Sequence, residues 1–334
     1  MSRMREARAR IESLGARVEF EFDQFPVLVA YISGDQVAPL RSSVYVDYLE
    51  PVTSGQWSQQ TIPWGVSQVQ APPAWALSTG SGVKLLIIDS GVMDTHPDLI
   101  TQVAWRCVNG ALPIPDQIGH GTHVAGTAAA LNNQMHVVGV APNVHLMSAN
   151  VEVNGQPNSA EVACSINVAR LNNVFVANMS FLLLPSTAVT DQINNGYLQS
   201  GMLFVAAAGN TNGGSVTYPA NLANVMAVTA TTSSNARAPF AAIGPQIEIS
   251  APGVDILSTA LPTGFSCASG GLTALCSGTS MAAPHVAAAA ALVKARYPTW
   301  TNVQVRNRLT STALPLGPAS QFGAGLLQAW AAVQ

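Results

Sequence analysis

Lys84-Leu85-Leu86-Ile87-Ile88-Asp89 is a short apolar run that ends in a carboxylate, which is the pattern of a strand buried on both faces. Comparable runs follow at 144–151, 175–180, 202–208, 225–231 and 247–250. Helical patterns separate several of them, at 120–131, 159–171 and 187–199, and a last long helix is predicted over 281–297. Continuous apolar strands that alternate with helices indicate a parallel sheet. The sequence therefore predicts the α/β fold class, with a central parallel sheet and helices on both faces.

Charged residues divide the chain into two parts. The 334 residues include 14 Lys and Arg and 17 Asp and Glu, and residues 1–58 hold six of the former and eight of the latter. This shift in composition predicts a small α+β domain over 1–58 and a larger domain over 59–334, with the polar segment 52–60 as the linker. In the small domain we expect a helix over 4–14 and strands over 18–22, 25–32 and 43–49, with a short helix between the last two strands.

The composition excludes several functional classes. With 48% hydrophobic and only 9% charged residues the chain is not disordered, and a net charge of −3 gives no basic surface for nucleic acid. The longest apolar stretch, around 286–293, is Ala-rich and too short to cross a membrane. The four cysteines form no Cys-x-x-Cys pair, which excludes a zinc ribbon, and the first residues contain no apolar core of a signal peptide.

Four polar residues stand where predicted strands or helices begin or end. Asp89 ends its strand, His120 lies between two glycines at a helix start, Asn210 follows a strand, and Ser280 opens the last long helix. Each alone has a structural explanation: a turn cap, a core histidine or one half of a metal pair, a Gly-Asn turn, and a helix N-cap. Together they supply the acid, base, oxyanion donor and nucleophile that acyl transfer requires.

Five motifs, four of which carry these residues, resemble the motifs of one enzyme family. They are Ile88-Asp-Ser-Gly91, His120-Gly-Thr-His-Val-Ala-Gly-Thr127, Ala207-Ala-Gly-Asn210, Ala251-Pro-Gly-Val254 and Gly278-Thr-Ser-Met-Ala-Ala-Pro-His285. From about residue 61 to residue 334 the sequence resembles the subtilisin-like serine proteases, the subtilases of peptidase family S8. The resemblance implies a serine endopeptidase that hydrolyses peptide bonds through an acyl-enzyme intermediate.

The resemblance also assigns the catalytic roles. Ser280 would attack the scissile carbonyl, His120 would act as general base and then as general acid, and Asp89 would orient the imidazole. Asn210 and the backbone N–H of Ser280 would form the oxyanion hole. Protein or peptide substrates are the implied partners, and the enzyme is expected to be a monomer that binds neither nucleic acid nor membrane. Two alternatives stay open: a catalytically silent peptide-binding relative, against which the four intact residues argue, and an intracellular subtilase.

The implied substrate cleft departs from the family's pattern. One edge would be a strand over 155–158, and the other would follow Ser180. The glycines that usually come soon after that serine are absent, and the chain reads Phe181-Leu182-Leu183-Leu184 instead. This added bulk predicts a reshaped cleft that favours narrower or extended apolar side chains of the substrate. The expected substrate-binding residues are Gly155, Gln156, Ser180, Phe181, Leu182, Ala207 and Gly209.

A structural calcium ion is the implied cofactor. The ligands expected from the resemblance are Gln59, Asp98, Leu131, Asn133, Met135 and Val137. Three side chains and three backbone carbonyls would provide the hard oxygen ligands that Ca²⁺ prefers. The alternative is a surface loop that binds no metal. His136 stands where many relatives have glycine, so backbone strain at this position is expected to weaken the site.

Residues 1–58 resemble the family's inhibitor I9-type propeptides, ferredoxin-like α+β domains that guide folding and inhibit the enzyme temporarily. The chain begins at the first helix of such a domain. We therefore hypothesise that Met1 is an internal start and that an upstream segment carries a strand and a signal peptide. Autocleavage is expected between Ser58 and Gln59.

The four cysteines indicate the compartment. Cys267 and Cys276 span ten residues just before Ser280 and predict a disulfide-bonded loop, with free buried thiols as the alternative. Cys107 and Cys164 either pair or remain free, which the sequence does not decide. A disulfide beside the nucleophile predicts an oxidising, extracellular setting and hence a secreted protein.

Overall fold

The computed structural model describes residues 2–22, 26–52, 60–107, 115–262, 267–269 and 271–334. The chain divides into two units, Met1–Trp57 and Ser58–Gln334. None of the helices in the described part of the chain combines the length and the apolar character needed to cross a bilayer.

Two helices and a two-stranded sheet build the first unit. Its elements in chain order are α1 (Ser2–Ser13), β1 (Arg17–Glu21), β2 (Leu28–Tyr31) and α2 (Gly34–Arg41). Gly15, at φ +80°, ends α1 and leads the chain into β1, which pairs antiparallel with β2. Ile11, Ala16 and Leu40 form a small buried core. This order confirms the predicted first helix, the first two strands and the short helix after them.

The strand predicted over 43–49 is wrong. The backbone N–H of Val46 donates to the carbonyl of Ser43 at 3.1 Å, which closes a turn. The guanidinium of Arg3 donates to the carbonyl of Val44 at 3.0 Å. Because local partners use these backbone groups, the segment has no free edge with which to join the β1–β2 ladder.

A seven-stranded parallel sheet forms the centre of the second unit. Its strands are β3 (Lys84–Asp89), β4 (Val103–Trp105), β5 (His145–Asn150), β8 (Val176–Met179), β9 (Leu203–Ala207), β10 (Val225–Thr231) and β11 (Ile247–Pro252). They lie in the order β11-β10-β9-β8-β3-β5-β4, and each neighbouring pair is parallel. Six of them are the strands predicted from apolar runs. The edge strand β4 was missed because three residues are too short to give a pattern.

Helices cover both faces of this sheet. The longer ones are α5 (His120–Ala129), α6 (Ser159–Leu171), α7 (Thr187–Gln199), α8 (Thr279–Arg296) and α9 (Asn302–Ser311). The shorter ones are α3 (Trp64–Gln68), α4 (Ala71–Ala74), α10 (Ala319–Phe322) and α11 (Ala329–Val333). Leu85 and Ile87 of β3 pack in the core that includes α5 and α8, whereas Leu86 and Ile88 pack with α6 and α7. The predicted α/β fold class is therefore confirmed.

Two small antiparallel sheets complete the second unit. β6 (Glu152–Val153) pairs with β7 (Gln156–Pro157) in a hairpin. β14 (Thr273–Cys276) pairs with β12 (Ile256–Thr259) and with β13 (Ala268–Ser269). The hairpin follows β5 directly, so it stands at the carboxyl edge of the parallel sheet.

Both cysteine pairs form disulfides. The Cys267–Cys276 pair has an Sγ–Sγ distance of 1.99 Å, which confirms the predicted bridge. The Cys107–Cys164 pair has an Sγ–Sγ distance of 2.17 Å, and this bridge ties the segment after β4 to α6. The structure thus decides the pairing that the sequence left open.

Candidate active site

The carboxyl edge of the sheet brings together Asp89, the last residue of β3, and His120, the first residue of α5. His120 Nδ1 lies 2.7 Å from Asp89 Oδ1, which also accepts a hydrogen bond from the backbone N–H of Ser90 at 2.8 Å. A Cβ atom added to Gly121 would come within 2.0 Å of the carbonyl oxygen of Gly91. Glycine at 121 is therefore what allows the first turn of α5 to approach the end of β3.

A second buried carboxylate, that of Asp116, organises the loop before His120. Its Oδ1 accepts hydrogen bonds from Ser90 Oγ (2.9 Å), Ile118 N (3.0 Å) and Gly119 N (2.9 Å), and its Oδ2 from Thr122 N (2.9 Å) and Thr122 Oγ1 (2.6 Å). Asp116 thereby connects the end of β3 to the start of α5. Asp116 was not predicted as a site residue, although an acid four positions before His120 is a visible signal in a region with few carboxylates.

These two carboxylates set the protonation of His120. Burial alone would lower the pKa of the His120 imidazole, but the charge and hydrogen bond of Asp89 and the charge of Asp116 outweigh burial, so the pKa is raised above 6.5. The contact at Nδ1 also fixes the ring so that Nε2 is the nitrogen left to act as a base. An imidazole held in this way can accept a proton, because the neighbouring carboxylates stabilise the resulting imidazolium.

Ser280 lies at the start of α8 and contacts the end of β8. Its hydroxyl donates to the carbonyl of Ser180 at 3.0 Å, and the hydroxyl of Ser180 donates to the carbonyl of Ser280 at 2.8 Å. The nucleophile candidate is thus held against Ser180 and not hydrogen-bonded to His120. Catalytic hydrogen bonds often tighten only when substrate binds, so a rotation of the Ser280 side chain would be the first requirement for chemistry.

Asn210 is oriented by a threonine that the sequence analysis did not single out. Asn210 Oδ1 accepts from both the backbone N–H and the hydroxyl of Thr279, each at 3.0 Å. The same hydroxyl accepts from the backbone N–H of Gly209 at 3.1 Å. Because Thr279 donates to the amide oxygen, Asn210 Nδ2 is the atom left to donate. Nδ2 would lie 3.3 Å from a Cβ atom added to Gly278. This geometry suits a donor to an oxyanion formed at Ser280.

A cleft of about 320 Å³ lies beside the Asp89–His120 pair. It is lined by Asp89, Ser90, Ile118, His120, Val151, Glu152, Gly155, Gln156, Pro157, Ser180, Phe181 and Leu182. Five of the seven expected substrate residues therefore share one cleft. Ala207 and Gly209 are not among the lining residues: Ala207 is buried at the end of β9, and Gly209 contacts Thr279. The expected edge strand over 155–158 is instead a hairpin, with Gly155 in its turn at φ +80° and Gln156–Pro157 as β7.

The expected calcium ligands come together, apart from Gln59, which lies outside the described residues. The next residue, Gln60, directs its side-chain amide into the loop: Nε2 donates to the carbonyls of Leu131 at 2.6 Å and Val137 at 2.9 Å, and lies 3.4 Å from Asn133 Oδ1. Three oxygens that converge on one amide nitrogen form a cradle that suits a hard cation. Gln60 was not among the ligands expected from the sequence, and the structure adds it to the loop.

The rest of the loop is consistent with this donor set. The fully buried carboxylate of Asp98 accepts from Val137 N at 2.9 Å and from Asn133 Nδ2 at 3.2 Å, and Met135 N donates to Asn133 Oδ1 at 3.0 Å. His136 has a φ of +35°, the strained conformation expected there. The described residues contain no group of three or more His, Cys, Asp or Glu side chains placed to hold a metal ion. Metal binding here would depend on carbonyl and amide oxygens around one carboxylate.

Two buried histidines near the site are packing residues. His123 Nε2 contacts the carbonyls of Ile256 and Ala274, and His285 Nδ1 contacts the carbonyl of Met281. Burial lowers the pKa of each imidazole to about 4. Both are therefore neutral at pH 7 and add no charge beside His120.

Comparisons with known proteins agree with this geometry. The model of the Subtilase family matches residues 80–325. An alkaline protease of Alkalihalobacillus alcalophilus is 43% identical over 316 residues, which are 94% of this chain and 81% of that protein. Subtilisin Savinase of Lederbergia lenta is 45% identical over 277 residues, which are 82% of this chain and all of that protein. Alkaline elastase YaB of a Bacillus species is 42% identical over 316 residues, with 94% and 81% covered.

Family match and fold agree with each other, because the matched region contains the whole parallel sheet and the start of α8. The identities of 42–45% extend over most of the chain, and the proteins concerned are named proteases. The chain therefore belongs to the subtilase family and is a subtilisin-like serine endopeptidase.

Proposed function

We propose that the chain hydrolyses peptide bonds through Asp89, His120 and Ser280, with an acyl-enzyme intermediate. The observation that carries the proposal is the 2.7 Å contact between His120 Nδ1 and Asp89 Oδ1, which leaves Nε2 for the nucleophile. The contact between the Ser280 hydroxyl and the carbonyl of Ser180, a residue that lines the same cleft as His120, also supports the proposal.

The reaction would begin when the Ser280 hydroxyl leaves Ser180 and turns towards His120. Its proton passes to Nε2 while Oγ forms a bond to the carbonyl carbon, and the C=O electron pair moves to the oxygen. Asn210 Nδ2 and the Ser280 N–H donate to this oxyanion. The imidazolium then protonates the leaving amine as the C–N bond breaks. A water molecule then attacks the acyl-enzyme through the same steps, which releases the carboxylic acid and regenerates the Ser280 hydroxyl.

Protein and peptide chains are the proposed substrates. An extended peptide would lie between the β6–β7 hairpin and the segment after Ser180, because chains of this kind bind along exposed backbone edges. Leu182, whose side chain is 59% exposed, adds bulk where glycine would leave space. We therefore infer a cleft that favours narrower or extended apolar side chains, as the sequence predicts.

Residues 1–58 are proposed to be a propeptide that the enzyme removes from itself. The α+β unit Met1–Trp57 supports this proposal. So does Subtilisin Savinase, whose full length aligns with 82% of this chain and leaves the remainder unmatched. The two disulfides support a secreted protein that works in an oxidising compartment. We propose that the mature enzyme is a monomer.

A fluorophosphonate probe tests the proposed nucleophile. We expect the wild-type protein to be labelled covalently, and Ser280→Ala to remain unlabelled, because the probe captures an activated serine. The same two proteins test the zymogen, since the wild type should lose residues 1–58 and Ser280→Ala should keep them, as intact mass will show. Ser311→Ala, a serine at the end of α9, is the matched control and should behave like the wild type. Labelling that persists in Ser280→Ala would refute the proposal.

Calcium is the proposed structural cofactor of the loop around Asp98. Asp98 and Asn133 would supply side-chain oxygens, and Gln60 would supply its amide oxygen after the amide turns over. The carbonyls of Leu131 and Val137 would complete most of the coordination. When bound, the ion would neutralise the buried carboxylate and hold the loop to the segment before α3. Met135 and Gln59 remain proposed ligands from the family resemblance.

Removal of calcium should lower the melting temperature. A ligand at 100 times its Kd stabilises a protein by about 2.7 kcal/mol, which corresponds to roughly 4 °C for a chain of this size. We expect such a decrease on adding a chelator to the Ser280→Ala protein, which cannot digest itself. Asp98→Asn should melt at a temperature that calcium does not change, whereas Asp191→Asn, on exposed α7 surface, should retain the calcium effect. Equal melting temperatures with and without calcium would refute the site.

A further inference from the structure

Glu152 places a carboxylate in the substrate cleft that the proposed mechanism does not use. The residue opens β6, is half-buried, and lines the cleft together with His120 and Ile118. Apolar side chains line part of the cleft, including Pro157, the cross-strand partner of Glu152 in the hairpin. The other carboxylate in the lining, that of Asp89, contacts His120, so Glu152 is the carboxylate left to select between substrates.

The position of Glu152 is fixed by several hydrogen bonds. Its backbone N–H donates to Asn150 Oδ1 at 3.0 Å, and its carbonyl accepts from Arg106 Nη2 at 2.6 Å. One side-chain oxygen, Oε1, accepts from the backbone N–H of Gly155 across the hairpin turn. This contact uses one of the two carboxylate oxygens, so the negative charge is held in place at the cleft.

Within the described residues, no Lys or Arg side chain pairs with the Glu152 carboxylate. All 14 Lys and Arg residues fall within the described residues, and none of them forms an ion pair with Glu152. Arg106, which contacts the Glu152 carbonyl, directs its charge instead to the buried carboxylate of Glu161, with 3.5 Å between Nε and Oε1. A half-buried carboxylate that no Lys or Arg pairs with favours a cationic ligand, because the reduced screening in a cleft strengthens the attraction.

We propose that Glu152 makes the cleft select substrates that carry a Lys or Arg side chain near the scissile bond. The aliphatic stem of that side chain would pack on Ile118 and Pro157, and its cationic head would reach the Glu152 carboxylate. The inference rests on the proposed function, since it concerns the substrate of the same site. It also refines the expected apolar preference, because a long basic side chain is an extended apolar stem with a charged end.

Fluorogenic peptides that differ at one position test this inference. The varied position is one of the four residues before the scissile bond or one of the two after it. At each of these positions three peptides are compared, which carry Lys, norleucine or Glu. For the wild type we expect kcat/KM to be about 5- to 10-fold higher for Lys than for norleucine at one position, the range of a partly buried ion pair. Salt at 1 M should reduce this ratio, since it screens the pair.

Glu152→Gln is the decisive variant, because glutamine keeps an oxygen that can accept from the Gly155 N–H. We expect its Lys-to-norleucine ratio to fall to about 1 while kcat/KM for norleucine peptides stays within twofold of the wild type. Asp191→Asn removes one negative charge from α7 and should keep the wild-type ratio. An unchanged ratio in Glu152→Gln, or an equal loss for all peptides, would overturn the inference. If the wild type cleaves no peptide, the proposed function and the inference are overturned together.

Discussion

Replacing Asp89 with Asn is expected to lower kcat by about 10⁴-fold at neutral pH. The buried Asp89 carboxylate holds His120 through the 2.7 Å contact at Nδ1 and favours the imidazolium that forms during attack. An Asn amide can turn its NH₂ group towards Nδ1 and so stabilise the tautomer that carries its proton on Nε2, where no base is then available. The loss should therefore appear in the chemical step.

The pH dependence of this variant has a definite sign. His120 must be neutral to act as a base, so kcat/KM falls as the pH drops through the pKa of the free enzyme's imidazole. In the wild type this pKa is raised above 6.5, and Asp89 provides the larger of the two carboxylate charge effects. In Asp89→Asn the acidic limb of the profile should lie at lower pH. Asp116→Asn should move the limb in the same direction, because the charge of Asp116 also raises this pKa.

An inactive variant cannot remove its own propeptide, so the comparison needs independent maturation. A recognition sequence for an unrelated, specific protease inserted between residues 58 and 59 would release both proteins in the same way. Steady-state rates over pH 5–9, with fluorophosphonate titration of the active fraction, then give kcat. Asp94→Asn, an exposed carboxylate after β3, serves as the control. A kcat within tenfold of the wild type would contradict the assigned role of Asp89.

Asn210→Ala is expected to reduce kcat by about 10²- to 10³-fold with little change in KM. The Asn210 amide is held by two hydrogen bonds from Thr279, so its NH₂ group is ready to donate before any charge has formed. The donor is needed when the carbonyl oxygen becomes an oxyanion, and it contributes little to binding of the ground state. An effect confined to kcat is therefore the expected signature.

Burst kinetics with an activated ester show which step of the reaction loses rate in Asn210→Ala. The rate of the acylation burst should fall with kcat, while the amplitude still reports one active serine per molecule. Asn195→Ala, on α7, is the matched control and should retain the wild-type rate. A variant in which KM rises and kcat is unchanged would show that Asn210 binds substrate and does not stabilise the oxyanion.

The parts of the fold with strong local signals were predictable. The strands β3 and β10 are continuous apolar runs, and α6 and α7 were predicted with the bounds that the structure has. Their N-caps explain this accuracy, because Asn158 and Ser186 each accept hydrogen bonds from the first turn of the helix that follows. Of the β6–β7 hairpin only the second strand was anticipated, within the strand expected over 155–158, because strands of two residues have no periodicity.

The site was predictable where a motif carries the chemistry and less so where tertiary contacts do. Asp89, His120, Asn210 and Ser280 stand in motifs, so they could be proposed without a structure. The roles of Asp116 and Thr279 arise from contacts with residues of other elements. The rotamer that places the Ser280 hydroxyl on Ser180 depends on packing between α8 and the end of β8, which no local pattern reports.

The burial of α8 has a consequence for a protease that is surrounded by copies of itself. Residues 281–293 of this helix are buried on all sides, and the alanines at 287–291 are fully covered. Amides in such a segment exchange with solvent only when the whole unit opens, because no smaller fluctuation exposes them. A neighbouring copy can cut only chain that has come loose, so the helix that carries Ser280 is protected from self-digestion for as long as the sheet beneath it stays folded.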